Sequence, residues 1–482
     1  MNDTPNAILI RSGDLVDGTG APRRKADVLL KGERIAAIAE PGAIATEDAT
    51  VIDATGLTVS PGFIDVHTHD DNAVLVSPDM SAKLSQGVTT VVAGNCGISI
   101  APGQLDNPPP PLTLIANADP GTFRFERLRD YAAAVEAAAP SINIAMLIGH
   151  STLRIGAMDD IGKKANTAEL DRMRERLAAC LDDGAIGFST GLYYKTNAAA
   201  DMEEVVALAE LLADKGGVYV THMRDEHDHV LDSLHESFET ANKADVPIVI
   251  SHHKCAGPRN WGRSRETLPL IEATRAKQRV GLDAYPYAAG STVLDPDWID
   301  PEVRTLVSWS ISYPEMSGRD LADIAAEWRC SQQDAARRLS PAGGIYFQMD
   351  EADVRRILAY PPTMIGSDGL PHDSHPHPRL WGTFPRVLGK FCREEGLFSL
   401  EDAVYKMTGL SASRFGLTDR GVVREGAYAD LVLFDADEII DRATFEEPTR
   451  PAHGIDRVFV NGKIGWQAGA HTGARSGRFV SR

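Results

Sequence analysis

No stretch of the 482 residues approaches the roughly 20 consecutive apolar positions needed to span a bilayer, which excludes a membrane-embedded chain. Cysteine is scarce. The five residues Cys96, Cys180, Cys255, Cys330 and Cys392 are odd in number, far apart and without a CxxC pair, which argues against a disulfide framework and for a reducing compartment. The start, MNDTPNAILIRSGD, has neither the basic nor the apolar region of a secretory signal, so a cytoplasmic location is expected. Cationic residues are in deficit, with 49 Lys and Arg against 68 Asp and Glu and a net charge of -19. Such a chain is poorly suited to neutralising phosphates, and nucleic acid is not an expected partner. A soluble protein acting on a small molecule remains, as a monomer or weak homo-oligomer.

What is present has a clear order. Residues 7 to 58 are short alternating segments broken by Gly and Asp, which read as antiparallel strands, and the pattern returns in GVVREGAYADLVLFD and IDRVFVNGKIGW near the other end. Residues 1–60 and 418–482 are therefore expected to form one small β-sandwich. Between them, 61–417 alternate short apolar runs with segments of helical period, the pattern of a parallel sheet with crossover helices. Eight strands are predicted, at 57–69, 87–96, 143–150, 185–190, 217–222, 246–253, 280–287 and 362–368. Eight such units imply an α/β fold, a closed (β/α)8 barrel of the TIM type. The gap after the seventh strand is too long for one crossover. Its segments SGRDLADIAAEWRC and SQQDAARRL each follow a capping serine, so 291–345 is read as an inserted helical lid. The run Pro108 to Pro111 reads as a stiff surface loop.

Chemistry gathers where the strands end, because active sites of such barrels form at the C-terminal ends of their strands. The first predicted strand ends in His67-Thr68-His69, whose spacing places both imidazoles on one side of a strand, where they can share a metal. Cys96 ends the second strand, His222 the fifth, His252 and His253 the sixth, and Asp368 the eighth. Taken singly, each has a bland reading. A lone cysteine is commonly inert and buried, a lone histidine a hydrogen-bonded core residue, and an Asp beside Gly a turn residue. Five strands of one barrel ending this way by coincidence is the weaker explanation.

The segments PGFIDVHTHDD, GVTTVVAGNCGIS, GHSTLR, GLYY, THMRDE, ISHHK, DAYPY, GSDGLPHD and HPRLWGTFPRVLG, spread over nearly the whole chain, resemble those of the D-aminoacylases, N-acyl-D-amino-acid deacylases of the amidohydrolase superfamily. PGFID with HTH identifies only the superfamily; the NCG segment with ISHHK and GSDGLPHD is more specific. The resemblance implies a tightly held zinc on Cys96, His222 and His252, and a second, weaker metal position on His67, His69 and Asp368. It gives Asp368 the role of catalytic acid/base, and it selects His252 over its neighbour His253, which sequence alone leaves open. It also assigns the substrate carboxylate to Arg379, Lys254, Tyr285 and Ser291, expected in loops beyond the strand ends. His372, His375 and His377 are read as loop residues and not as ligands.

Amide hydrolysis needs a nucleophilic water and a polarised carbonyl, both of which zinc with an open coordination position supplies. A thiolate ligand favours zinc over magnesium or calcium. The lid segment GSTVLDPDWIDPE carries Asp295, Asp297 and Asp300 and no cation, so neutral, hydrophobic D-substrates are expected in preference to N-acyl-D-glutamate or N-acyl-D-aspartate. Many hydantoinases and dihydroorotases share the barrel but bridge two metals through a carboxylated lysine on the fourth strand. Here that strand reads AIGFST, with Lys195 five residues beyond it. A deaminase lacks specific support, and an inactive scaffold would be expected to have lost ligands that are all present here.

Overall fold

Burial on both faces explains why the strands read as continuous apolar runs rather than alternating ones. In the computed structural model, which describes residues 7–45, 49–116 and 121–482, eight parallel strands form the central sheet. They are β1 (Phe63–Asp65), β2 (Val88–Ala93), β3 (Asn143–Gly149), β4 (Gly187–Gly191), β5 (Val218–His222), β6 (Ile248–Ile250), β7 (Val280–Ala284) and β8 (Thr363–Ile365). Each neighbours the next in chain order, and a parallel bridge from Thr68 to Gly369 joins β8 back to β1. All eight expected strands lie in this barrel. The first six residues, part of the expected β-sandwich, and residues 46–48 lie outside the described residues.

The crossover helices start where the sequence supplies caps. Thr167–Asp182 is opened by a capping box in which Asn166 accepts from the Glu169 backbone and Glu169 returns the bond. Its Met173, Leu177, Cys180 and Leu181, at spacings of three and four, are buried against the barrel. Among the described residues no helix is long and apolar enough to cross a membrane.

Both chain ends meet in one nine-stranded sheet, joined where Thr58–Pro61 pairs antiparallel with Leu431–Phe434. Ile10, Val28, Leu30, Leu433 and Phe459 build its own core, separate from the barrel's. The segment between β7 and β8 contains the two expected helices, Leu321–Trp328 and Gln332–Leu339. Ser331 caps the second, but the first is capped by Asp320, whose carboxylate accepts from the Ala322 N–H. A three-stranded antiparallel sheet joins them, made of Gly290–Val293, Thr305–Ser310 and Ala342–Tyr346. The lid is thus an α/β unit with its own apolar core, including Val307, Leu321, Ile324 and Leu339.

Candidate active site

Three of the residues singled out at the strand ends sit in backbone conformations that side chains other than glycine rarely adopt. Cys96 has φ +55°, His252 +34° and Asp368 +51°. Such left-handed residues cost of order 1–3 kcal/mol each and persist where surrounding packing imposes them. The imposing contacts are visible at Cys96. A Cβ added to Gly191, at the end of β4, would meet the Cys96 carbonyl oxygen at 2.2 Å, so only glycine lets the loop after β2 lie this close. At β8 the Asp368 N–H donates to the His67 carbonyl at 2.8 Å, which fixes the aspartate across the seam from the HxH pair.

The turned residues converge. Cys96 Sγ lies 3.2 Å from His67 Nε2 and 3.4 Å from His252 Nε2. Asp368 Oδ1 is 3.5 Å from His67 Nε2 and 3.3 Å from His69 Nε2. The rings of His222 and His252 meet edge to face with centroids 4.4 Å apart. Two overlapping groups result, His67, His69, Cys96 and Asp368, and Cys96, His222 and His252, and within each group the donor atoms all lie within 4.8 Å of one another. Cys96 belongs to both. His253, by contrast, turns away and bonds Thr267 Oγ1 through Nε2 at 2.8 Å.

A metal fits this donor set. Neither His69 Nδ1 nor Nδ1 of buried His222 has a hydrogen-bond partner among the described residues, and such groups are costly to bury unless something completes them. A thiolate with imidazoles is a zinc-type set. The electrostatics agree. Burial alone would push the Cys96 thiol up, yet the facing His67 and His252 pull it well below its ordinary range. Burial likewise opposes ionisation of Asp368, and Arg379 and His67 overcome it, holding the carboxyl well below the usual range. His69 is raised to about 9, against the effect of burial, by Asp368 and Cys96. The thiol and the carboxyl are thus both held in the charged form that ligates a cation.

A cavity of about 310 Å³ opens onto the cluster. His69, His222, His252 and Asp368 of the cluster line it, together with Lys254, Tyr285, Ser291, Tyr193, Trp298, Asp300, Tyr346 and Gln348. Trp298 packs on Tyr193 with centroids 4.7 Å apart. Arg379, expected in a loop, instead opens the helix Arg379–Arg386 and is fully buried. Its Nη1 is 3.0 Å from Asp368 Oδ2, its Nη2 donates to the Ser291 carbonyl at 3.0 Å, and its guanidinium lies 4.6 Å from the Tyr285 ring centre. Of the lid aspartates, Asp295 and Asp297 pair with exposed Lys195 at 2.8 and 2.9 Å, and Asp300 lines the cavity. His375 and His377 bond the carbonyls of Phe445 and Ala289.

Three contributors went unmarked in the sequence. Glu226, four residues past His222, accepts from Lys254 Nζ on both oxygens at 2.8 Å. Asp283, inside β7, accepts from the His252 N–H at 2.9 Å and stands 3.4 Å from His67 Nδ1. Below the HxH pair, fully buried Lys83 donates to Asp65 at 2.8 Å and Ser367 Oγ at 3.0 Å and pairs with Asp70 at 3.1 Å. A charged residue inside an otherwise apolar strand was the available signal for Asp283 and Asp65.

Known proteins agree with this architecture. The amidohydrolase family model matches residues 50–329 and 272–465. A D-aminoacylase of Alcaligenes xylosoxydans xylosoxydans is 53% identical over 99% of this chain and 98% of its own. A solved D-aminoacylase structure, concerned with a binuclear metal centre showing one-metal activation and second-metal attenuation, is 53% identical with TM-score 0.96, covering 98% of this chain and 99% of that one. The N-acyl-D-glutamate deacylase of Bordetella bronchiseptica, solved with zinc and a phosphonate mimic of the tetrahedral intermediate, is 46% identical with TM-score 0.93, covering 98% and 99%. The chain belongs to the amidohydrolase family, within the group formed by the D-aminoacylases and N-acyl-D-amino-acid deacylases.

Proposed function

We propose that the protein is a zinc-dependent hydrolase that cleaves the amide bond of N-acyl-D-amino acids to a carboxylate and the free D-amino acid, with a preference for neutral, mainly hydrophobic side chains. The observation that carries this reading is the convergence of His222, His252 and Asp368, which line one cavity, with Cys96, the residue shared by both donor groups. Cys96, His222 and His252 would hold zinc tightly, and His67, His69 and Asp368 would form the weaker position. When bound, zinc lowers the pKa of water to about 7 and polarises a carbonyl.

The chain's own groups supply the rest. Asp368, kept ionised by Arg379 and His67, takes the proton of the attacking water and delivers it to the leaving amine nitrogen. Lys254, Tyr285 and Ser291 line the cavity where the substrate's α-carboxylate would lie. Arg379 stands behind them. Its Nε has no hydrogen-bond partner among the described residues, and a substrate reaching it would let one guanidinium serve Asp368 and the α-carboxylate together.

The side-chain preference is supported by the walls. Tyr193, Trp298 and Tyr346 present aromatic surface, Asp300 adds a negative charge, and Lys254 is shared between Glu226 and the α-carboxylate. An acidic substrate side chain would be desolvated there without a free cation. A cytoplasmic location, argued from the unpaired cysteines, belongs to the same reading. A hydantoinase-like activity is disfavoured because Lys195 is exposed and paired with the lid, leaving no lysine at the end of β4 to bridge metals.

The test is a panel of N-acetyl amino acids of both enantiomers. The D-forms of methionine, leucine and phenylalanine should be hydrolysed and the L-forms not. A higher kcat/KM for N-acetyl-D-glutamate or N-acetyl-D-aspartate than for N-acetyl-D-methionine would overturn the side-chain preference, and hydrolysis of neither enantiomer would overturn the activity.

A further inference from the structure

Glu226 is buried in the loop after β5 and touches groups from both halves of the site. Its Oε1 lies 3.1 Å from His252 Nδ1 and 2.8 Å from Lys254 Nζ, and its Oε2 2.8 Å from Lys254 Nζ and 3.5 Å from His222 Nε2. The same His252 Nδ1 is 2.7 Å from Lys254 Nζ. This nitrogen therefore meets an ammonium, which only donates, and an ionised carboxylate, which only accepts. Each neighbour selects a different tautomer. If Nδ1 accepts from Lys254, the ring proton sits on Nε2, the nitrogen that faces Cys96, and no lone pair is left there for a metal. If Nδ1–H donates to Glu226, the Nε2 lone pair points at the cluster.

We propose that Glu226 is a positioning residue that couples the two sites: it fixes the metal-binding tautomer of His252 and, in doing so, releases one Lys254 N–H toward the substrate carboxylate. The two Glu226 oxygens can take two of the three ammonium hydrogens, which leaves His252 Nδ1 as the contact for the third. With Nε2 ligating, Nδ1 carries a proton and offers Lys254 no acceptor, so that third hydrogen turns into the cavity that Lys254 lines. A carboxylate behind a ligating histidine is a recurring arrangement, and its loss typically weakens metal affinity or activity about 10–100-fold. Here the same carboxylate also governs the cation that receives the substrate. The inference rests on the zinc reading above.

The test combines chelator-competition measurement of zinc affinity with histidine 15N NMR of the zinc-loaded wild-type protein. Glu226→Gln, which keeps the side chain's shape, should weaken zinc binding about 10–100-fold while far-UV circular dichroism stays unchanged. Lys254→Met should hold zinc within about threefold of wild type, since the His252–Glu226 bond remains. The NMR spectrum should show His252 protonated at Nδ1, a result independent of whether any variant folds. Wild-type affinity in Glu226→Gln, equal zinc loss in Lys254→Met, or a proton on Nε2 of His252 overturns the inference alone. A wild-type chain that binds no zinc overturns it together with the reading beneath it.

Discussion

Two polar clusters lie within a few residues of each other on the first barrel strand and its exit, and they differ in one respect. At Asp65, Lys83, Asp70 and Ser367 the chain supplies its own cation: one ammonium serves two carboxylates and a hydroxyl, and Asp65 also accepts the Ser367 N–H at 2.7 Å. At His67, His69, Cys96, His222, His252 and Asp368 the donors crowd together while Nδ1 of His69 and of His222 lacks a partner among the described residues. Both clusters are equally buried. Burial of charge therefore does not mark function here; a cavity that opens onto one cluster and not onto the other does. The closed cluster stitches β1 to β8, and the open one stands ready for a ligand at the top of the same seam.

The sharpest way to break this contrast is to remove the residue shared by both metal groups. Cys96→Ala should abolish tight zinc binding and reduce hydrolysis of N-acetyl-D-methionine to background, as read by metal analysis and turnover; full zinc content with normal turnover would end the assignment. Asp368→Asn separates binding from chemistry. It should keep the tightly held zinc and lower kcat about 100-fold to 10,000-fold, because an amide cannot accept the proton. A drop of less than about tenfold would name another residue as the proton carrier.

Lys83→Met probes the closed cluster. Breaking a buried pair typically costs about 3–5 kcal/mol, so denaturant unfolding should show a large stability loss, while the fraction that remains folded keeps its zinc. Loss of zinc without loss of stability would show that the two clusters are not distinct. The smallest effect concerns Asp373, a buried carboxyl after β8, which burial pushes up to about 7. Raised above its ordinary value near 4, it favours the folded state when neutral, and that contribution is lost as pH rises from about 4 through about 7. Asp373→Asn should therefore gain thermal stability relative to wild type at pH 8 and lose that advantage toward pH 4. An equal difference at both pH values would show that Asp373 titrates normally.

The contrast also explains what the sequence made legible. Eight apolar runs, each buried on both faces, announce a barrel, and the polar residues that end them mark its mouth. The lid's helices were visible through periodicity and caps, whereas its sheet was not: Ala342–Tyr346 contains two glycines and pairs with strands 32 or more residues away, and no local pattern encodes such pairing. Glu226 and Lys83 escaped notice for a related reason. A carboxylate in a loop and a lysine in a short helix look like solvated surface until the fold surrounds them. Arg379 reads as a loop cation in the sequence, yet Pro378 before it is the N-cap of a buried helix.

The pairing of Thr58–Pro61 with Leu431–Phe434 has a consequence for synthesis. About 370 residues separate the two strands, so at about 5–20 residues per second the N-terminal strands wait about 20–75 s on the ribosome with one edge unpaired. An open edge of this kind recruits other chains. The barrel between the two strands is made while its companion sheet is still incomplete, and the later Leu431–Phe434 then joins that sheet, with Phe479 bridging to Ile144 on β3. Nascent chains stalled before residue 431 should be cut by protease in the first 60 residues, where the finished protein resists.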